Sequence, residues 1–289
     1  MTTFPPAVPL KYRTQPKPSI RARPLAWRHA LAMLSGLTLA LDASARVVTA
    51  CGHHDYPPWN WQRDSEIVGA CAEVARNVFE HLGHTLKVEY VGPWKRCQAM
   101  VQSGAVDVNI CSFKNPERMT YSRFIEVPMG TNPIAIFVKK GREFPFAQWS
   151  DLAGRRSGIV NGVSMGPEFD HFLATQTRLE SAISPVLNLR KLHAERIDFA
   201  PLGLEAGQLQ ILLYGFGDRI VALPNPALEG KLYISISNKS VDLHPLIPAA
   251  EKYLAESERK PELKKLLRKY HDLYIQEAEV TARSVSSSP

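Results

Sequence analysis

Two groups of residues in this sequence have side chains able to bind metal, form crosslinks or transfer protons. His53 and His54 are adjacent in a Gly/His/Asp/Pro-rich stretch that runs to Pro58. Adjacent imidazoles suggest a metal site only when further ligands follow at a finger or zincin spacing. None follows here, so the pair reads as hydrogen-bonding groups of a loop. The four cysteines, Cys51, Cys71, Cys97 and Cys111, are separated by 20, 26 and 14 positions, which fits no zinc site. In an oxidising compartment they are candidate disulfide partners, with three fully paired connectivities open. Cys51 and Cys111 each end an expected strand and so could lie close together. The other reading is four buried thiols acting as small hydrophobes. General acid catalysis needs a histidine or carboxylate held against a leaving group. His53, Glu168 and Glu205 are of the right type, but no motif commits them.

The elements that would position these residues follow from apolar periodicity. Val47 to Cys51 is a short apolar strand. Ile67 to Leu82 has Val68, Cys71, Ala72, Ala75, Val78 and Phe79 at helical spacing, with Gly83 where a helix-ending glycine belongs. Thr85 to Val91 reads as a strand. Pro93 opens a helix at the position proline favours, which runs to Gln102 and stops before Gly104. Val106 to Cys111 is the next strand. This βαβαβ order requires parallel strands with right-handed crossovers, and such sheets bind ligands at the carboxyl ends of their strands. A second α/β unit begins near residue 132. It holds strands at Ile134–Val138 and Ser157–Val160, a capped turn at Trp149–Gly154, and a helix near Pro167–Thr175. Leu232–Ser237 is a late strand, and amphipathic helices at Leu246–Leu254 and Pro261–Tyr274 close the chain.

The 289 residues leave room for two domains, or for one domain split in two. The net charge of +7 invites a nucleic-acid reading, yet residues 1–45 alone carry +5 and the rest only +2. A phosphate-binding protein needs its basic face on the folded part, so nucleic acid is not an expected partner. Residues 1–45 have the grammar of an export leader: Arg21, Arg23 and Arg28, an apolar run from Ala30 to Leu41, then the small-x-small site Ala43-Ser44-Ala45. That run of 12 residues is shorter than the roughly 20 needed to cross a bilayer. Export to the periplasm is therefore expected, with the mature chain beginning at Arg46. A lipidation box ending at Cys51 is the competing reading. Residues 281–289 read as a disordered Ser-rich tail.

Several short motifs now add up. Tyr56-Pro57-Pro58-Trp59 follows the first strand, Ile67-Val68-Gly69 precedes the first helix, and Pro93-Trp94 opens the second. Ser103-Gly104-x-Val106-Asp107, Asn115-Pro116-Glu117-Arg118 and Asp151-Leu152-Ala153-Gly154-Arg155 come next, in that order. In this set and spacing the chain resembles the family 3 extracellular solute-binding proteins over roughly residues 46–275. The resemblance implies an α/β, two-lobed type II periplasmic-binding-protein fold, each lobe a mostly parallel sheet flanked by helices. Lobe I would be residues 46–131 plus 241–280 and lobe II residues 132–240, hinged by two crossovers. It also implies a monomer that closes on a small-molecule ligand, an amino acid or related carboxylate, and delivers it to the membrane subunits of an ABC importer. Neither cofactor nor metal is expected, and no chemistry on the ligand.

The resemblance also assigns roles in the cleft. Arg118 would grip the ligand's carboxylate, its planar guanidinium matching the two oxygens. Tyr56 and Trp94 would sandwich the ligand side chain, Trp59 would extend that wall, and Arg96 would add positive charge at the cleft mouth. Ser112 is the best hydroxyl candidate of a stretch about one residue shorter than usual. Gly162, Val163 and Ser164 stand where the family places a Gly-Thr-Thr loop that approaches the carboxylate ahead of a helix N-terminus. Amino-acid binders carry an acid about five positions after the aspartate here numbered Asp198. This chain has Gly203 there, with Glu205 two positions on as a substitute. A ligand without an ammonium group is thus an open alternative. So are two other functions: a few members of the fold dehydrate cyclohexadienyl compounds, and a sensor module would signal through a membrane partner.

Overall fold

The computed structural model describes residues 46–256 and 259–286. The expected export leader, residues 1–45, therefore lies outside the described residues. Among the described residues, twelve strands and eight α-helices follow one another. Strand β1 is Val47–Cys51, and a small antiparallel sheet comes next from β2 (Asp55–Tyr56), β3 (Asn60–Arg63) and β4 (Glu66–Val68). Then come α1 (Ala70–His81), β5 (Thr85–Val88), α2 (Trp94–Ser103), β6 (Val108–Ser112), α3 (Pro116–Met119) and β7 (Ser122–Phe124). The middle of the chain holds β8 (Gly130–Lys139), β9 (Arg156–Val160), α4 (Pro167–Gln176), β10 (Arg178–Ala182) and α5 (Pro185–His193). Last are β11 (Ala200–Gly203), α6 (Leu204–Leu213), β12 (Ile220–Ser237), α7 (Ile247–Ala255) and α8 (Arg259–Ser286).

The apolar period visible in the sequence becomes the buried face of α1, where Cys71, Ala72, Ala75, Val78 and Phe79 all point inward. That helix starts later than the sequence suggested, because Glu66–Val68 is drawn into the antiparallel sheet beside β3. Gly69 makes the corner at φ 127°, where a Cβ would lie 2.3 Å from the Trp59 carbonyl; no other residue fits that approach. Helix α2 is closed by Gly104 in the left-handed conformation, as its place in the sequence implied.

Strand β1 pairs in parallel with β5 and β6, and β9 with β10. The main sheet runs β11-β8-β12-β6-β1-β5. Strand β12 is 18 residues long. It pairs with β8 from Ile220 to Leu232, and with β6 and β7 beyond that. The cores divide at the same place. One gathers Val48, Ile67, Val88 and Ile110 with Leu232, Ile234 and Ile236, while Ile134, Ile136, Phe169 and Phe199 form another. The mixed α/β sheet with flanking helices is thus built as two halves, joined where β8 and β12 pass between the cores. Along β12, Leu232, Ile234 and Ile236 pack in the first core.

Two further expectations are corrected. The helix that closes the chain extends through Ser286, over residues read as part of an unstructured tail; residues 287–289 lie outside the described ones. The cysteines pair Cys51–Cys97 and Cys71–Cys111, so none is a free thiol and Cys51 does not meet Cys111. The strand register explains this. Cys51 is level with Asn109 on β6, which places Cys111 two positions further along. Cys51 joins the cluster under α2, while Cys111 packs in the core with Cys71 of α1. Among the described residues no helix is long and apolar enough to cross a membrane.

Candidate functional site

Asn115 caps α3 by accepting the Arg118 N–H at 2.8 Å, a standard use of asparagine at a helix start. This short helix holds Arg118 inward, only 5% exposed. Its Nη1 donates to the Phe113 carbonyl at 2.7 Å and its Nη2 to the Gly162 carbonyl at 3.3 Å. The guanidinium carbon lies 5.4 Å from the centre of the Trp94 ring. Trp94 Nε1 donates to the same Gly162 oxygen at 3.0 Å. Two side chains of the first half therefore converge on one carbonyl of the second, presented by Gly162 at φ 76°. Burial pulls the Arg118 pKa down, with Tyr121, Asp170 and Glu117 acting the other way; a guanidinium remains charged under such pressure.

These groups border a cavity of about 60 Å³ with a mostly apolar wall. Tyr56, Trp94, Ser112, Arg118, Val163 and Ser164, all anticipated from the sequence, line it together. Ser112 is 1% exposed and its Oγ has no hydrogen-bond partner. A buried hydroxyl without a partner is costly in an empty protein, so it is a natural point for a polar ligand atom. The residue before it, Cys111, has φ 60°, a conformation that non-glycine residues seldom adopt. The Ser164 hydroxyl donates to Asp170, which also accepts the Met165 N–H at 2.9 Å. Asp170 thus shapes the loop ahead of α4.

Two further polar residues belong to this wall: His53, read from the sequence as a hydrogen-bonding loop group, and Asp55, which that reading left out. His53 Nδ1 accepts the Asp55 N–H at 3.0 Å. Its pKa is pushed down to about 3, by burial first and by His54 and Arg118 after it. The ring is therefore neutral, and its proton sits on Nε2 as a donor. It stacks on His54 and lies 5.4 Å from Trp94, centre to centre. Asp55 also lines the cavity, and Gln210 Nε2 of α6 donates to it at 3.2 Å. Burial raises its carboxyl pKa, against smaller effects of His54 and Gln210. The signal for both residues was present in the Gly/His/Asp/Pro loop at the carboxyl end of β1, where this sheet type collects its ligands.

Three anticipated residues lie elsewhere. Trp59 is 1% exposed and packs in the first core, its ring beneath Gly130. The turn between β2 and β3 directs Tyr56 to the cavity and Trp59 away from it. Arg96 is exposed, its stem lying over Gly92. Two helical positions after Trp94 place it about 200° further round α2. Glu205 opens α6 and faces α8, bordering a separate cavity with Met129, Gly130 and Leu263. There its Oε2 is buried without a hydrogen-bond partner, and burial raises its pKa.

Gly203 does line the cavity. A Cβ there would come within 2.4 Å of Asn132 Nδ2 and 2.7 Å of the Tyr56 hydroxyl. Those two groups are hydrogen-bonded to each other, so neither can yield freely. Gly203→Ala should therefore lower stability by about 1–3 kcal/mol, the usual cost of overpacking. Urea unfolding of the two proteins measures this, and an unchanged midpoint would show that the pair moves aside.

The sequence matches the bacterial extracellular solute-binding proteins, family 3, over residues 48–272. No curated protein matches the chain. Among solved structures, the fold is similar to a histidine kinase sensor domain described as resembling periplasmic binding proteins. That likeness has a TM-score of 0.64 at 20% identity, covering 78% of this chain and 96% of that one. It is also similar to the substrate-binding protein of an amino acid ABC transporter from Streptococcus pneumoniae bound to L-arginine. Here the TM-score is 0.62 at 19% identity, over 78% of this chain and 94% of that one. The arginine-binding protein of T. maritima, as its P235GK mutant, gives 0.62 at 17% identity, over 78% and 95%.

Proposed function

The chain belongs to the bacterial extracellular solute-binding proteins of family 3, and on that premise we propose that it captures a small carboxylate-bearing solute, amino-acid-like in size, between its two halves. The observation that carries this reading is the meeting of Arg118 and Trp94 from the first half on the Gly162 carbonyl of the second. It is made across a cavity that also holds the partnerless Ser112 hydroxyl. A ligand carboxylate entering there would take donors from Arg118 and bind better to the closed arrangement than to an open one. That differential affinity is all that hinge closure requires. The ligand would be held by hydrogen bonds, charge and aromatic packing, and released unchanged in the periplasm to the membrane subunits of an ABC importer. The similar structure from Streptococcus pneumoniae, a substrate-binding protein of an amino acid ABC transporter bound to L-arginine, supports a small ligand and a transporter partner.

A thermal-shift screen of the exported protein against amino acids, small carboxylates and polyamines tests the reading. A ligand at 100 times its dissociation constant stabilises by about 2.7 kcal/mol, which raises the midpoint of a domain this size by about 5–11 °C. If no compound of the panel moves the midpoint, solute capture of this kind is wrong. A second reading, a sensor module that passes ligand occupancy to a membrane partner, draws on the likeness to the histidine kinase sensor domain. Crosslinking in cells separates the two by the partner recovered, a transporter permease or a signalling protein.

A further inference from the structure

We propose that the solute is a carboxylate with an apolar body, so that the cavity selects aliphatic side groups over amides and hydroxyls of the same shape. This rests on reading the cavity as the solute site and deepens that reading by naming the chemical class it takes. The polar side chains of the lining are divided unevenly between the two halves. His53, Asp55, Tyr56, Ser112 and Arg118 all belong to the first. The second half contributes Ile134, Val160, Val163, Met165 and Leu202. Among the described residues Ser164 is the one polar side chain of that second wall, and its hydroxyl is given to Asp170.

The backbone of the second wall is engaged as well. Val163 N–H donates to the Val160 carbonyl at 3.1 Å and Met165 N–H to Asp170 at 2.9 Å. The Gly162 carbonyl takes Trp94 and Arg118, and Pro185 and Pro201, which also line the cavity, have no N–H to offer. In the first half, Tyr56 is bonded to Asn132, and Asp55 accepts from Gln210 at 3.2 Å. The groups still able to donate are the Ser112 hydroxyl, the His53 Nε2 and the Arg118 fork, a set suited to one carboxylate. A hydroxyl or amide carried against the second wall would shed its water and find no partner there, a loss of roughly tenfold or more in affinity. A methyl group of the same size meets no such cost. A larger space of about 690 Å³ shares Arg118, Val163, Ser164 and Met165 with the cavity and adds Lys95, Gln98 and Asn161. A solute lying there would be polar, which is the outcome the test sets against the proposal.

Pairs of ligands with nearly equal shape test this: L-leucine and L-asparagine, L-valine and L-threonine, 4-methylpentanoate and succinamate. Amino and des-amino pairs side by side keep the result independent of any ammonium group. Calorimetry of the wild type should find at least one apolar member bound about tenfold or more tighter than its polar partner. Val160→Thr puts a hydroxyl into the second wall with little change of shape. In that variant the preference should shrink about threefold or more, the apolar member weakening or the polar one gaining. Its thermal midpoint without ligand, and retained binding of either member, report an intact fold. The proposal is overturned if the polar members bind the wild type as tightly as the apolar ones, or if Val160→Thr leaves the preference where it was. A hit in the thermal screen with silence from every apolar member would overturn it while leaving solute capture standing. Silence from these pairs and from the whole screen would overturn both.

Discussion

Arg118→Ala is expected to abolish binding of any carboxylate solute, a loss of about 2–5 kcal/mol or tens- to thousands-fold in affinity. The guanidinium is 5% exposed, and a carboxylate meeting it there sheds its water. Removing the cation leaves that carboxylate desolvated and unpaired, which is where most of the loss arises. Two of the five guanidinium N–H groups are engaged by the Phe113 and Gly162 carbonyls and the Tyr121 hydroxyl lies within reach of the same guanidinium, so a ligand carboxylate would share the fork with these neighbours. The fold should survive the change. Gly162 keeps its bond from Trp94, and Phe113 loses one acceptor interaction worth about 1 kcal/mol. Arg118→Lys, which keeps the charge but not the planar fork, should bind with intermediate affinity. Calorimetry of the three proteins with a ligand found in the thermal screen reads this directly. Binding of Arg118→Ala within threefold of wild type would reduce Arg118 to a strut that holds Gly162 in place.

How much of this was legible in the sequence differs between fold and site, for physical reasons. The first βαβαβ unit could be read because its apolar period, its Pro93 start and its Gly83 and Gly104 stops all agree. Local agreement of that kind marks a well-specified segment. Helices α5 and α6 and strands β10 and β11 were not read. The long apolar sequence around Leu204–Leu213 has almost no sidedness, because α6 is buried by the sheet on one side and meets α8 on the other. The reach of β12 was not read beyond Leu232–Ser237, because Pro224 and Pro226 interrupt the strand pattern where the register shifts against β8. In the cleft, motif positions brought Tyr56, Trp94, Ser112, Arg118, Val163 and Ser164 to one cavity. Trp59, Arg96 and Glu205 did not follow, because side-chain direction is set by the turn or helix face and not by nearness in sequence. Asp55 was overlooked for the converse reason. As a loop residue without a motif it showed no pattern, and only the folded chain sets it on the cavity wall.

The disulfides carry the second large effect. The Cys51–Cys97 bond ties β1 to α2 across a separation of 46 residues, and Cys71–Cys111 ties α1 to β6 across 40. Loop-closure entropy gives each about 4 kcal/mol. Because the two loops overlap in sequence, their contributions should not simply add. All four cysteines lie in the first half, so the second half gains no such support. Replacing Cys71 and Cys111 together by serine should therefore lower the thermal midpoint by about 8–16 °C, and dithiothreitol, which opens both bonds, should lower that of the wild type at least as far. Binding should suffer as well. Cys111 borders the cavity at φ 60° and directly precedes Ser112, so releasing it frees the strand end that aims the buried hydroxyl. Loss of Cys51–Cys97 should act instead through Trp94, three positions before Cys97 on α2, in the cluster that also holds Cys51 and Val101. Peptide mapping of the unreduced exported protein decides the pairing itself. Recovery of a Cys51–Cys111 peptide, or of four free thiols, would remove the basis for both stability estimates.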